Sequence, residues 1–155
     1  RRASGLMELT RLEHADPMQA GTICALLRAA YTVEAQVIGG DDFAPLRRTA
    51  ADISGAPSTF FGCTIGGRLV AVAEIEAPPD GPINIGGFAV HPSFFRRGIG
   101  SRLLRHVLQA TAPAPVTVST AAANDPAIAL YEAHGFRVRR HWTIQGIQMV
   151  TLVRE

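Results

Sequence analysis

The chain contains no lysine, and its fifteen basic residues are all arginine. Against thirteen acids they leave a net charge of +2, too small to argue for a nucleic-acid partner. The all-arginine choice points to a GC-rich, bacterial coding genome more than to a function. Cysteine is nearly as scarce. Cys24 and Cys63 stand far apart in apolar surroundings, with no histidine or second cysteine at metal-ligand spacing. Neither a metal nor a disulfide framework is expected, and two buried reduced thiols of a cytoplasmic protein are. Long hydrophobic runs are also missing. Gly, Pro or a charge interrupts each within about ten residues, short of the roughly twenty needed to cross a bilayer, so no membrane association is expected. No charged start leads into an apolar segment with a small-residue cleavage site, so no secretory signal is expected.

What is present reads as one folded domain: 155 residues, 47% hydrophobic and 18% charged, with no internal repeat or low-complexity linker. Residues 1–6 look like a tag or a disordered N-terminus, leaving 7–155 as the domain. Met7 to Leu12 reads as a strand, and Asp16-Pro17 as a helix start with Asp as cap and Pro at the first helical position. Ile23, Leu26, Leu27, Ala30 and Tyr31 then recur at helical spacing, and Gly39-Gly40 closes the helix. A second helix is expected over 44–53. Thr59–Ile65 and Arg68–Glu76 form a hairpin around Gly66-Gly67, which supplies the positive φ angles of a tight turn. A strand over Ile83–Val90, a helix over Arg97–Ala110, a strand over Pro115–Ser119, a helix over Pro126–Ala133 and strands over Phe136–Ile144 and Ile147–Val153 complete the order. Strands and helices alternate too irregularly for a dinucleotide-binding repeat, so a mixed α/β sheet is predicted.

Chemistry concentrates where the fourth strand runs through His91-Pro92-Ser93-Phe94-Phe95-Arg96-Arg97-Gly98-Ile99-Gly100-Ser101 into a helix. Such a terminus offers unpaired amides and a partial positive charge to a phosphate. Gly98 and Gly100 let the backbone approach closely, and Arg96 and Arg97 add charge suited to a pyrophosphate. The loop is neither of two better-known phosphate binders. No Lys-Ser or Lys-Thr pair follows the second glycine, and Leu103 stands where a dinucleotide fingerprint would place its third.

About two dozen residues later comes Asn124-Asp125-Pro126-Ala127-Ile128-Ala129-Leu130-Tyr131-Glu132-Ala133-His134-Gly135-Phe136. With this second stretch the chain resembles the GCN5-related N-acetyltransferase (GNAT) superfamily, whose motif A loop reads Arg/Gln-x-x-Gly-x-Gly/Ala and whose motif B matches the Asn-to-Phe segment. The resemblance runs from the first strand to the last. It implies a GNAT fold, a mostly antiparallel sheet splayed at the cofactor site and flanked by helices, with Gly86-Gly87 at a bulge. It also implies acetyl-coenzyme A as cosubstrate and no metal. The backbone of Phe88, Ala89 and Val90 would pair with the pantetheine arm, and the amides of Phe95, Arg96, Arg97, Gly98, Ile99, Gly100 and Ser101 would take the pyrophosphate. Asn124 would hydrogen-bond the lower part of the cofactor, and Tyr131 would protonate the leaving thiolate. One departure stands out: Phe95 occupies the position that the family gives to Arg or Gln.

The resemblance does not name the base. An amine nucleophile is protonated at neutral pH and must lose a proton. Ile83-Asn84-Ile85 carries no acid, whereas Glu74 and Glu76 lie two apart on the preceding strand and share one face, so they are the expected base, acting through water. Tyr31 and Glu34 share a helix face near Asp41 and Asp42 and are expected to bind the acceptor, a primary amine on a small molecule or peptide. His91 reads as part of a turn, and His14, His106 and His134 as surface groups. His141, near Trp142, is a weak candidate for the acceptor pocket. A noncatalytic acyl-coenzyme A sensor is the rival, a nucleotide-binding enzyme a weaker third reading, and the late strands make a homodimer reasonable.

Overall fold

The computed structural model describes residues 5–38 and 47–155. The expected helix stop at Gly39-Gly40, the start of the helix expected over 44–53, and Asp41 and Asp42 lie outside the described residues, as do residues 1–4 of the expected N-terminal tail. Leu6, which belongs to that expected tail, accepts a hydrogen bond from the Gly66 amide at 3.0 Å.

Seven strands form one sheet in the spatial order β1-β2-β3-β4-β5-β7-β6. They are β1 (Met7–Arg11), β2 (Thr59–Ile65), β3 (Arg68–Glu76), β4 (Ile83–Val90), β5 (Val116–Ala121), β6 (Arg137–Ile144) and β7 (Ile147–Arg154). All neighbours are antiparallel except β4 and β5. The β2–β3 turn has the predicted chemistry, with Gly66 at φ 59° and Gly67 at φ 84°.

Among the described residues four α-helices cover the two faces: α1 (Pro17–Ile38), α2 (Ala50–Ser54), α3 (Ile99–Thr111) and α4 (Asp125–Ala133). On the α1/α2 face, Ile23, Leu26, Leu27 and Ile53 pack on Phe60, Val72 and Ala89. On the other, Ile99, Leu103, Leu104 and Val107 of α3 pack with Tyr131 and Phe136 on Ala71, Ala73 and Ile75. Val72 of β3 thus feeds one core and its neighbours Ala71 and Ala73 the other, as a two-residue side-chain period requires.

The starts of the second and third helices differ from expectation for local reasons. The second helix begins only at Ala50, because Thr49 and Asp52 close a capping box there. The third begins at Ile99 rather than Arg97, because Gly98 holds a left-handed φ of 74° and cannot be helical. A short 3₁₀ turn, Pro92–Phe94, precedes that loop, capped by His91, whose Nδ1 accepts the Ser93 amide at 3.1 Å.

Candidate functional site

The sheet opens at β4. This strand pairs with β5 only at Ile83, Asn84 and Ile85, while β5 continues to Ala121 against β7. Residues 86–90 therefore leave an unpaired edge toward β5. The divergence begins where the β3–β4 register skips Gly86, with Glu74 opposite Gly87 and Ile75 opposite Ile85. This is the bulge expected at Gly86-Gly87, and side chains crowd both glycines. A Cβ at Gly86 would lie 2.7 Å from a Glu76 carboxylate oxygen, and one at Gly87 would lie 3.1 Å from the Tyr31 hydroxyl.

Along the open edge of β4 lies a cavity of about 550 Å³. Phe88, Ala89 and Val90 form one wall, Asn124 and Tyr131 the other, and Phe95, Arg96, Gly98, Ile99, Gly100 and Ser101 one end. Of the residues expected to hold the cofactor, only Arg97 is outside this lining; its guanidinium stacks on Phe94, 5.0 Å from the ring centroid. Arg96 and Gly98 both have positive φ, 67° and 74°, so the chain coils tightly before α3. For a non-glycine residue such as Arg96 that conformation is strained. No side chain caps α3, and its first intrahelical bond is Arg102 N to Gly98 O at 3.2 Å. The amides of Ile99, Gly100 and Ser101 thus begin the helix without acceptors inside it, at the cavity end, as an anion site requires.

Tyr131 is buried, with its ring 5.5 Å from Phe136 and 6.1 Å from Phe88. Its hydroxyl has no hydrogen-bond partner among the described residues. Burial first, then the neighbouring Tyr31 and Glu34, push its pKa well above the ordinary phenol value, so it holds its proton. Asn124 caps α4: its Oδ1 accepts the Ala127 amide at 3.3 Å, and its Nδ2 donates to Thr120 Oγ1 at 3.4 Å. One further Nδ2 hydrogen remains for a ligand.

The acids divide differently from their sequence spacing. Glu74 and Glu76 do share the α1/α2 face, over the bulge, but neither lines the large cavity. Glu74 is buried and accepts three hydrogen bonds: Arg48 Nη1 at 2.6 Å, Arg48 Nη2 at 2.9 Å and Ser58 Oγ at 2.6 Å. Burial raises its pKa, but the hydrogen bonds from Arg48 and Ser58 outweigh it and hold the carboxyl below its ordinary value. Glu76 is exposed and accepts from Asn84 Nδ2 at 2.8 Å. Tyr31 and Glu34 do line the large cavity. The Tyr31 hydroxyl meets the Phe88 backbone amide on the opened edge of β4, and burial raises its pKa strongly. Burial likewise raises that of half-buried Glu34.

A second cavity, of about 170 Å³, lies against Tyr31 between α1, α2 and Gly86, with Cys24, Leu27 and Ile53 as apolar lining and Arg28 and Arg48 as charged lining. Cys24 Sγ and Arg28 Nη2 both donate to the Arg48 carbonyl, at 3.5 and 3.1 Å. Cys63 is buried in the core under β2, away from both cavities. His141 is exposed on β6 and lines neither. Among the described residues no cluster of three metal-binding side chains occurs, and no helix is long and apolar enough to cross a membrane.

Two partners were not legible in sequence. Arg48 reaches Glu74 across 26 positions, and no local pattern announces that pairing. His134 donates from Nδ1 to the Leu130 carbonyl at 2.9 Å, which leaves Nε2 to accept from Ser101 Oγ at 3.2 Å. It thereby ties the end of α4 to the start of α3. Its place four residues after Leu130 signalled only the first of these contacts.

Comparison with known proteins agrees with this geometry. The model of the acetyltransferase (GNAT) family matches residues 22–136. The N-alpha-acetyltransferase RimI of Mycobacterium tuberculosis is 33% identical over 145 residues, covering 86% of this chain and 92% of that protein. The UPF0157 protein YqkA of Bacillus subtilis is 34% identical over 127 residues; 81% of this chain is covered, but only 37% of YqkA. In fold, the chain is similar to the ribosomal-protein-S18-alanine N-acetyltransferase of Escherichia coli, with a TM-score of 0.74 at 21% identity, over 96% of this chain and 93% of that one. A splayed sheet with an uncapped helix terminus at its opening, the two sequence motifs that build it, and these likenesses make one statement: the chain belongs to the acetyltransferase (GNAT) family.

Proposed function

We propose that the chain transfers the acetyl group of acetyl-coenzyme A directly to the α-amino group at the N-terminus of a polypeptide, within a ternary complex. One observation carries the reading: the free edge of β4, the uncapped start of α3 and the Tyr131 ring all line one cavity. The amides at the start of α3, with Arg96, suit the pyrophosphate; the β4 edge at Phe88–Val90 suits the amides of the pantetheine arm, as an added strand would. Asn124 offers its remaining amide hydrogen lower down. Tyr131, buried and fully protonated at neutral pH, is the group to hand a proton to the departing thiolate. The likeness to RimI of Mycobacterium tuberculosis, an N-alpha-acetyltransferase, favours a polypeptide N-terminus over a small-molecule amine.

The test is release of coenzyme A thiol from acetyl-coenzyme A with a panel of peptides that differ in their first residues, each with a free and a blocked N-terminus. Turnover with free termini alone supports the reading. Turnover with small amines only would move the acceptor to that class. Thermal stabilisation by acetyl-coenzyme A without turnover on any amine would leave a noncatalytic binding module.

A further inference from the structure

Among the described residues three carboxylates stand near the site, and the structure treats them unequally. Glu74 is buried with both oxygens bound to Arg48 and one also to Ser58, and it does not reach the cavity. Glu76 is exposed and bound to Asn84, also outside the cavity. Glu34, near the end of α1, is the one acid among the described residues that lines the cavity, together with Tyr31 and Tyr131. It has no hydrogen-bond partner among the described residues.

We propose that Glu34 is the base that takes the proton from the acceptor ammonium, and that Glu74 instead is a buried anchor that fixes Arg48 and the start of α2 against β3. The inference rests on the acetyl-transfer reading above. Tyr31, Val33 and Glu34 form the α1 wall of the cavity, so an amine entering along that wall meets Glu34, the acid that α1 presents there. The proton balance closes with the groups present. Glu34 accepts one proton from the ammonium and later yields it to water, and the freed nitrogen attacks the thioester carbon. As the C–S bond breaks, Tyr131 gives its proton to the sulfur and takes the second nitrogen proton in exchange. The charged or titratable groups that share the cavity with Glu34 are Tyr31 on its own helix, Tyr131 from α4 and Arg96 from the loop before α3. Its upward pKa shift fits the task, since a base works best when its pKa approaches the operating pH.

The experiment compares wild type, Glu34→Gln and Glu74→Gln over pH 6 to about 9.5, with the peptide that turns over best; an α-amine has an ordinary pKa of about 7.7 to 8.0. Glu34→Gln should lower kcat at neutral pH by roughly 10²-fold with the KM for acetyl-coenzyme A unchanged. That deficit should shrink at the alkaline end, where the amine loses its proton unaided. Glu74→Gln should melt earlier but keep its kcat in the folded fraction. The assignment is overturned if Glu34→Gln keeps kcat within a few-fold of wild type, if only the KM for the peptide rises, or if the deficit is the same at every pH. Loss of kcat in well-folded Glu74→Gln with an intact Glu34→Gln would return the role to Glu74. Wild type without turnover on any peptide defeats the proposed acceptor itself, and the base assignment falls with it.

Discussion

Replacing Tyr131 with phenylalanine removes one oxygen that no other described residue uses, so its consequences should be narrow. We expect kcat to fall by roughly 10² or more while the melting temperature barely moves and acetyl-coenzyme A still binds, read by steady-state kinetics beside a melting curve. Arg48 and Glu74 should behave in the opposite way. Arg48→Ala strands a buried carboxylate and should cost about 2 to 3 kcal/mol, less than a fully buried pair because the Arg48 side chain is 31% exposed. Because the Glu74 pKa is lowered on folding, its stabilisation is present above its unfolded pKa and lost as pH falls through the folded value. The difference in melting temperature between wild type and Arg48→Ala should therefore close in acid. Glu34 has the reverse sign. Its raised pKa favours folding fully below the unfolded value, and that contribution is lost as pH rises through the folded one. At neutral pH Glu34→Gln should be as stable as wild type or more so, which separates its effect on activity from any on folding.

At the scale of single elements, the loop into α3 holds the strongest constraint. A Cβ at Gly100 would touch Leu130 and Val90 at 3.6 Å and Phe88 at 3.7 Å, ordinary contact distances, so the fold should accept Gly100→Ala. Gly100 also lines the cavity, however, and the added methyl would hold a phosphate away from the helix amides. Calorimetric titration should show acetyl-coenzyme A binding weakened about tenfold, some 1.4 kcal/mol, with the melting temperature nearly unchanged. The hairpin was readable because Gly66-Gly67 announces positive φ angles that other residues avoid, whereas the bulge at Gly86-Gly87, which takes no such angle, followed from the family resemblance. The onset of α3 lies two residues later than the sequence predicts, since Gly98 takes a left-handed φ that ends the loop only there. The second helix starts later than residues 47–49 of its predicted range because the Thr49–Asp52 box fixes its start at Ala50.

For the whole molecule, the ligand cavity is bounded by parts remote in sequence, so ligand binding should be felt as global stability. Acetyl-coenzyme A at about a hundred times its Kd should stabilise the fold by about 2.7 kcal/mol. For a domain of this size that is a rise of roughly 5 to 10 °C in a thermal melt. Higher ionic strength should reduce the shift, because Arg96 and the α3 terminus attract the pyrophosphate by charge. A shift indifferent to salt would argue against a phosphate at that end.

The residues by themselves determined the order of elements, the hairpin, the glycine-arginine loop before α3 and the helix that carries Tyr131. Each depends on interactions a few positions apart: periodicity, caps, and backbone angles open to glycine. Tertiary structure alone decided which acids face the cavity. Glu74 and Glu76 share a face as their spacing required, yet the partners that engage them, Arg48, Ser58 and Asn84, arrive from 26, 16 and 8 positions away. Glu34 was read from sequence as an acceptor-binding residue. Its place on the cavity that Tyr131 also lines follows from where the folded sheet sets α1 and α4, a relation that no local pattern encodes.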